Sequence, residues 1–591
     1  MSAFKLAPLP ACLLLLLAAC GGGGGGVGSA GSSPPPTGGT TPGNTTIGDL
    51  RNSQTFTNTA AATQVLYDLD TKTTLSGGKA AGALTVSYDA ASKTYSLSSG
   101  AQSQQFTPAE IVGSANGETR YQKTGGGGRD YLTLVTTPYS GTTANQYVGL
   151  GYWQRNALNG SRQDTYFSTF TYGLETPAAA TPRAGHASFT IDVFGLASTP
   201  GFEPRVFQGS GTFFADLMTG VFSAQAYTTE TGLLSGSGIV GGGIEVNAAG
   251  RFSSSDGQFA GNALYGGTNG RIAGTIAGRF YGPAAQELGA SFGGGDANGA
   301  SFNGAFTGQR DAAARLANQT LTNMVTSQLF YTQEANLTVT SFENDVSAPY
   351  VRSTMMISQL NRQNAETFTY SPGRSDLAGG AFTLTAQVAS ADPNFTAYQK
   401  SFNGQEVFLD LYKPGSANTE LALTYASFGG WRGSQRGGVV TQSDRVYFAH
   451  GLMTQAGLLN AKTGTARYAG VAYGAAANEA SRAQYDVTGT SSFNVDFGAQ
   501  SMTGALALRG KSTNGAADVD FGTFDFATRI GGFTGESVAV FTAPGVEYGR
   551  LSTRFHGPDG EEIAGPFSLN VPLGRPGERT YIVGVAAAKR Q

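Results

Sequence analysis

The 591-residue chain has little cysteine, histidine, tryptophan or charge. It has two cysteines, three histidines and two tryptophans, and 13% of its residues are charged, which leaves a net charge of −3. No basic run is present that could follow a phosphate backbone, so nucleic-acid binding is not expected. His186, His450 and His556 are scattered and lack the paired spacing of a metal site, so no metal and no cofactor is predicted.

The N-terminus has the pattern of a secretion signal that ends at a lipid-modified cysteine. Lys5 supplies a positive charge, Leu13–Leu17 form an apolar core too short to cross a membrane as a helix, and small residues precede Cys20. We therefore expect residues 1–19 to be a bacterial lipoprotein signal peptide, and Cys20 to be the lipidation site that carries fatty acids such as palmitate. The alternative is an ordinary signal peptide with an incidental cysteine.

The composition of residues 20–50 predicts a flexible tether between the lipid and the folded part of the chain. Six glycines follow Cys20, and a run rich in Ser, Pro, Thr and Gly extends to about Asn44 without residues that could form a core. Gly21, in place of an acidic residue, favours sorting to the outer membrane in the bacterial system that this signal resembles. Cys12 lies within the signal, so the mature chain would have no free thiol for a disulfide, a zinc site or catalysis.

Two long segments of the chain repeat each other. A Tyr-Gln-Lys motif, a tryptophan after a strand-like stretch, and a glycine after an aromatic run each occur twice, 277 or 278 residues apart (121 and 398, 153 and 431, 173 and 451). This period is too long for a solenoid repeat and suits a duplicated domain. The sequence therefore predicts two homologous lobes.

Glycine, aromatic residues and short alternating patterns predict an all-β fold. The chain has 87 glycines and 11% aromatic residues. The alternating residues Leu84, Val86 and Tyr88 pair in pattern with Tyr95 and Leu97 across the turn at 89–93. Many such strands indicate antiparallel sheets that close into barrels. Each copy also has an early part with longer polar connections and a later part denser in glycine and aromatic residues. The predicted parts are 51–146 and 147–311 in the first copy, and 316–424 and 425–591 in the second.

Matched positions of the two copies also differ. His450 and His556 replace Tyr172 and Tyr281, which favours packed or surface positions in the sheets over metal or acid–base roles. The two tryptophans fall at matched positions and are expected to fill the barrel interiors. The Ala-rich stretch at 309–315 is predicted to be a short helical linker between the copies.

A motif near the end of each copy resembles the signature of the transferrin-binding protein B family of surface lipoproteins. The first reads Gly-Arg-Phe-Tyr-Gly-Pro-Ala-Ala-Gln-Glu-Leu-Gly at 278–289, and a divergent second spans 554–567, with departures at His556, Gly560 and Ala564. The family also has a lipobox followed by polyglycine and a duplicated lobe. The resemblance implies that each lobe contains an antiparallel handle sheet, over its earlier part, and an eight-stranded β-barrel, over its later part.

The same resemblance implies a function. It is the capture of a host iron carrier, transferrin or lactoferrin, by an outer-membrane lipoprotein exposed on the cell surface, with delivery to an outer-membrane transporter. Other members of the broader group bind haemoglobin. The first lobe is expected to make the contact, because the family places its main ligand surface there. An adhesive or structural surface lipoprotein without a transport role is the alternative.

No catalytic residue is predicted, and the chain is not expected to be an enzyme. Gly236–Gly241 has the spacing of a dinucleotide loop but continues into a strand-like segment. Gly289–Gly293 has the spacing of a nucleophile elbow without the helix that should follow. Glu287 and Glu562 lie beside the two Gly-Pro turns and are expected to cap amides of those turns.

Overall fold

The computed structural model describes residues 43–591, apart from 101, 126–127, 240–242, 344, 363–366, 372–381, 385–386, 403–404, 532–534, 543–545 and 573–577. Cys20 and most of the predicted tether lie outside the described residues. The chain divides into two compact units, which we call the first lobe, up to Arg315, and the second lobe, from Leu316. Both lobes are built almost entirely from antiparallel strands, so the all-β prediction is confirmed.

The first lobe begins with a ten-stranded sheet, the first handle. Its strands are β1 Gln54–Asp68, β2 Thr73–Ala80, β3 Thr85–Asp89, β4 Thr94–Ser99, β5 Gln102–Phe106, β6 Ile111–Ala115, β7 Glu118–Gly125, β8 Gly128–Val135, β9 Val148–Asn159 and β10 Arg162–Gly173. They lie in the order β5-β4-β3-β1-β10-β9-β8-β7-β6, and β2 pairs with β1. The predicted pairing of the two segments that form β3 and β4 is confirmed, and in it Val86 lies opposite Leu97 and Tyr88 opposite Tyr95. A 3₁₀ turn, Pro108–Glu110, precedes β6.

The rest of the first lobe closes into a barrel. A 3₁₀ turn, Ala178–Ala180, leads into β11 His186–Ser198, β12 Arg205–Asp216, β13 Val221–Gly232, β14 Gly238–Ile239, β15 Glu245–Phe252, β16 Gln258–Gly267, β17 Gly270–Tyr281, β18 Glu287–Gly295 and β19 Ser301–Arg310. Strand β11 pairs with β12 and β19, and β12 pairs with β13, so eight strands form a closed ring with β14 added on β13. Phenylalanines fill its interior; Phe213, for example, stacks on Phe222 with ring centroids 5.1 Å apart.

The second lobe repeats this order. Its nine-stranded handle comprises β20 Gln328–Phe342, β21 Asp345–Arg362, β22 Phe368–Ser371, β23 Phe382–Leu384, β24 Gln387–Val388, β25 Phe395–Phe402, β26 Gln405–Tyr412, β27 Ala426–Gly437 and β28 Val440–Gly451. After a short helix, α1 Ala456–Ala461, the barrel comprises β29 Thr465–Asn478, β30 Gln484–Asp496, β31 Ser501–Ser512, β32 Val519–Arg529, β33 Glu536–Phe541, β34 Tyr548–His556, β35 Glu562–Val571 and β36 Thr580–Arg590. Pairing of β29 with β36 closes it. The prediction of two lobes, each with a handle and an eight-stranded barrel, is confirmed.

The predicted boundaries within the lobes are wrong. Sequence analysis started the barrels at 147 and 425, but the hairpins β9–β10 and β27–β28 complete the handles, and the barrel strands begin at His186 and Thr465. The strands of the handle and of the barrel are similarly rich in glycine and aromatic residues. Only the pairing of β10 with β1, and of β28 with β20, assigns these hairpins to the handles.

Two further expectations are corrected by this assignment. Trp153 and Trp431 are buried in the handle cores and not in the barrels. Residues 309 and 310 complete β19, and residues 311–315 form a turn and an irregular segment in place of the predicted helical linker. Within the described residues, no helix combines the length and the apolar character that a membrane span requires.

Candidate functional site

The handle and the barrel of the first lobe meet along a seam of buried polar groups. Strands β1 and β10 lie against β18 and β19. The side-chain amide of Asn303 donates to the carbonyls of Ala61, at 3.0 Å, and Phe167, at 3.1 Å, while its oxygen accepts from the Thr63 hydroxyl at 3.0 Å. Buried hydrogen bonds of this kind fix the orientation of the handle on the barrel, because a displacement would leave them unpaired.

A buried carboxylate holds one end of this seam. Glu287, at the start of β18, accepts hydrogen bonds from the main-chain N–H groups of residues 146–148 at 2.7, 2.8 and 2.9 Å. Burial raises the pKa of Glu287, while the three N–H bonds act in the opposite direction. The prediction that this carboxylate caps its own Gly-Pro turn is wrong, since its bonds reach the handle where β9 begins.

The second lobe has the same arrangement. Glu562 accepts hydrogen bonds from the N–H groups of residues 424–426 at 2.6, 2.9 and 2.8 Å. Burial raises the pKa of Glu562, while these bonds act in the opposite direction.

The turn before each carboxylate needs glycine. Gly282 and Gly557 have φ of 85° and 90°, and a side chain on either would meet the ring of Tyr147 or Tyr425 at 2.6 or 2.7 Å.

The seam of the second lobe also contains a cavity of about 180 Å³, lined by strands of its handle and its barrel. His450 on β28 and His556 on β34 line it, and each is 3% exposed. A side chain built on Gly451 would meet Nδ1 of His556 at 2.6 Å, so this imidazole packs on the face of β28 opposite to the His450 side chain. Among the described residues, neither nitrogen of His450 has a hydrogen-bond partner, and neither does Nδ1 of His556.

Both imidazoles are held in the neutral form. Burial lowers the pKa of His450 well below its usual value, and Arg362 and His556 act in the same direction. Burial, followed by the charge of Arg554, lowers the pKa of His556 to about 3. A neutral imidazole has one N–H donor and one nitrogen lone pair.

One end of the first lobe presents a surface to which handle and barrel both contribute. The Thr74 N–H, at the start of β2, donates to the carbonyl of Phe202 in the β11–β12 loop at 2.8 Å. Phe202 is 53% exposed and Leu75, beside Thr74, is 40% exposed. We call residues 69–76, 199–204 and 296–300 the loop surface.

The loop surface is rigidly connected and has charges of both signs at its rim. Gly77 on β2 packs so closely on the β18–β19 loop that a Cβ there would lie 2.9 Å from the carbonyl oxygen of Gly299. The exposed charged residues in or next to these segments are Asp70, Lys72, Lys79 and Asp296. An apolar centre within a polar rim is the usual composition of a protein-binding surface.

The structure separates the other residues singled out from sequence. Ser291, of the elbow-like pattern, lies inside the continuous strand β18, and its hydroxyl donates to the carbonyl of Thr59 at 2.8 Å. His186 is exposed at the start of β11 and stacks on Phe214 at 5.8 Å. The dinucleotide-like pattern at 236–241 lies partly outside the described residues. His450 and His556, which replace tyrosines at matched positions, are both buried.

Comparison with known proteins finds a family model that matches the second barrel. Residues 461–590, which contain the whole second barrel, match the family model of the C-lobe and N-lobe beta barrels of Tf-binding protein B. The resemblance predicted from the signature is therefore confirmed, and the divergent second copy of the signature lies within the match. A search of curated proteins finds no match to the chain.

Solved structures of transferrin-binding protein B are also similar to this chain. A double mutant from Haemophilus parasuis Hp5 is 16% identical, with 78% of this chain and 85% of that chain covered and a TM-score of 0.26. The isotype 1 protein from serogroup B Neisseria meningitidis is 16% identical, with 76% of this chain and 86% of that chain covered and a TM-score of 0.24.

Proposed function

We propose that this transferrin-binding protein B-like chain is an outer-membrane lipoprotein that captures a protein ligand at the cell surface. The proposed ligand is an iron carrier of the transferrin type, or a haem carrier such as haemoglobin, which is then passed to an outer-membrane transporter. One observation carries the choice of contact region: Phe202 and Leu75 are exposed on a loop surface where handle and barrel are bonded together.

The loop surface has the physical properties that a capture site needs. Loops on a rigid scaffold bind without a large ordering cost, and the Thr74–Phe202 bond joins the handle turn to the barrel loop. Full burial of a Phe or Leu side chain stabilises a complex by about 1.5–3 kcal/mol. Two such anchors, together with the charged rim, would supply both affinity and orientation.

The proposed lipid on Cys20 suits a protein that captures a carrier from solution and then transfers it to a transporter. Acyl chains on Cys20 would hold the protein at the membrane, since several chains anchor stably where one does not. A coil of roughly 30 residues between the lipid and the lobes has an r.m.s. reach on the order of 30 Å. The lobes could therefore meet a soluble carrier and then a neighbouring transporter without leaving the surface.

Binding measurements on the unacylated chain, residues 21–591, test this proposal. Transferrin, lactoferrin and haemoglobin are each passed over the immobilised protein. The double variant Phe202→Ser and Leu75→Ser is expected to bind the recognised carrier at least about tenfold more weakly. The matched control is Ile357→Ser, which removes an apolar side chain that is 68% exposed in the second lobe and is expected to leave affinity unchanged.

A deletion strain grown under iron limitation supplies the physiological test. Growth on the recognised carrier as sole iron source should fail and should return with the intact gene. If none of the three carriers binds and the deletion strain grows normally on every iron source, the adhesive or structural function replaces iron capture.

A further inference from the structure

The barrel of the first lobe has a cavity of about 340 Å³ at the end that lies opposite to the loop surface. The cavity lies between the β12–β13 turn, the β15–β16 turn and residues 181–183, which follow the 3₁₀ turn at Ala178–Ala180. Strand β12 begins next to the loop surface, at Arg205, and ends beside the cavity, at Asp216. The cavity and the loop surface are therefore separated by the length of the barrel.

Side chains from the barrel interior form the floor of this cavity. Leu217 and Phe280 are 8% and 2% exposed, and Phe252 stacks on Phe280 with ring centroids 5.4 Å apart and ring planes at 9°. All three residues belong to the interior cluster of the first barrel or pack against it. The floor is therefore apolar and largely aromatic, so a flat apolar group can pack on it.

The second barrel has a leucine at the position that lines this cavity in the first. Thr176 and Thr454 are matched, because each donates its hydroxyl to the carbonyl of the glycine in the Gly-Pro turn of its own lobe. Five residues later the first lobe has Thr181, which lines the cavity. The second lobe has Leu459, which is 1% exposed and belongs to the interior cluster of its barrel. A larger apolar side chain can therefore occupy this place in the same fold.

The charged side chains around the cavity are positive. Arg183 and Arg251 line it, and none of the described residues that line it is acidic. Nη1 of Arg183 donates to the carbonyl of Ser253 at 2.7 Å, which holds the guanidinium beside the cavity. Asp256 lies in the same turn as Ser253, but it accepts hydrogen bonds from the main-chain N–H and the side-chain amide of Gln258 at 3.2 and 2.8 Å. The charge of the lining therefore favours an anion.

We propose that this cavity binds one small aromatic carboxylate, with its rings on the floor formed by Phe252 and Phe280 and its carboxylate on the guanidinium of Arg183. A carboxylate and a guanidinium form strong, charge-assisted hydrogen bonds. Since a cavity of roughly 150 Å³ is large enough for benzene, this one has room for roughly two rings and a carboxylate. The site is independent of the proposed capture of a protein ligand, which uses the other end of the barrel.

Calorimetric titration of the unacylated full chain, residues 21–591, with 2-naphthoate tests the proposal. We expect one naphthoate to bind per chain. The uncharged compound 2-naphthalenemethanol has the same rings and is expected to bind at least about tenfold more weakly, because it cannot form an ion pair with Arg183. The proposal is overturned if the parent chain binds no naphthoate, or if it binds both compounds equally.

Thr181→Leu places in the first lobe the residue that the second lobe has at this position. The larger side chain is expected to occupy part of the cavity and to weaken the binding of naphthoate by at least about tenfold, because a close-packed site has no room for both. Thr181→Val is the matched control, since valine has nearly the size of threonine, and it is expected to bind naphthoate as the parent does. A folded Thr181→Leu variant with the affinity of the parent would place the binding elsewhere and refute the proposal.

Arg183→Gln keeps the test decisive if Thr181→Leu does not fold. Glutamine can still donate to the Ser253 carbonyl but has no charge, so the affinity for naphthoate is expected to fall about tenfold while the affinity for naphthalenemethanol stays the same. A loss of both affinities, or of neither, would contradict the assigned role of Arg183 and overturn the proposal. Arg51→Gln, which removes a first-lobe guanidinium whose side chain is 75% exposed, is the control and is expected to bind both compounds as the parent does.

Discussion

The carboxylate of Glu287 accepts a hydrogen bond from the main-chain N–H of Tyr147 at 2.8 Å. This bond connects β18, the strand after the signature turn, to the start of β9 in the handle. Glu562 holds the N–H of Tyr425 at 2.9 Å in the same way. The two lobes have diverged at many neighbouring positions, yet each keeps one acidic residue that joins its handle to its barrel. The acidic residue of the signature therefore connects the handle to the barrel through buried hydrogen bonds.

Glu287→Gln is expected to destabilise the first lobe by about 1–3 kcal/mol. An amide offers only one acceptor oxygen, so at least one of the three N–H groups of residues 146–148 would face an NH₂ group and lose its bond. Because each lobe contains one of the two tryptophans, denaturation of a Trp431→Phe background reports the first lobe through Trp153 fluorescence.

Glu406→Gln is the control for this substitution. Glu406 is exposed on β26, so removing its charge is expected to change stability by less than about 0.5 kcal/mol. If Glu287→Gln changes stability as little as this control does, the hydrogen bonds of Glu287 make no measurable contribution to the stability of the first lobe.

Asp130→Ala is expected to destabilise the first handle by roughly 2–3 kcal/mol. Asp130 is 7% exposed, and one of its oxygens accepts from Nε1 of Trp153 at 3.0 Å and from Nε of Arg155 at 2.8 Å. The substitution leaves a buried indole N–H and part of a guanidinium without partners. Urea denaturation and the Trp153 emission maximum measure the effect.

The ion pair Asp410–Arg432 in the second handle is the matched comparison. Its side chains are 30% and 43% exposed, so water can replace the lost contact, and Asp410→Ala is expected to cost less than about 1 kcal/mol. If Asp130→Ala and Asp410→Ala lose equal stability, the burial of the carboxylate does not determine the free-energy cost of removing it.

The two lobes are expected to fold separately, because each has its own handle core and barrel core. Expression of residues 46–311 and 316–591 should give two soluble proteins with cooperative melts, measured by calorimetry. Insoluble or non-cooperative halves beside a soluble whole chain would contradict this expectation.

Cys20→Ser is expected to abolish acylation, since the thiol is the proposed attachment point of the lipid. Metabolic labelling with a fatty acid and membrane fractionation measure the outcome: label should be absent and the protein should move to a soluble fraction. Cys12→Ser is the control and should retain both label and membrane attachment. Unchanged labelling of Cys20→Ser would mean that the cysteine is incidental.

The sequence by itself determined the duplication, the all-β class and the two-part design of each lobe. These features depend on local patterns: a repeat at a fixed distance, alternation within strands such as β3 and β4, and the signature at 278–289. They can be recognised without knowing which strand pairs with which.

Only the tertiary structure decided where each handle ends and where Glu287 points. The physical reason is that alternation places a residue on one face of a strand but carries no information about the partner strand. Pairing of β10 with β1 put Trp153 into a handle core, and packing of a handle on a barrel brought β28 and β34 to one cavity. Contacts between residues far apart in the chain arise when the sheets close and pack.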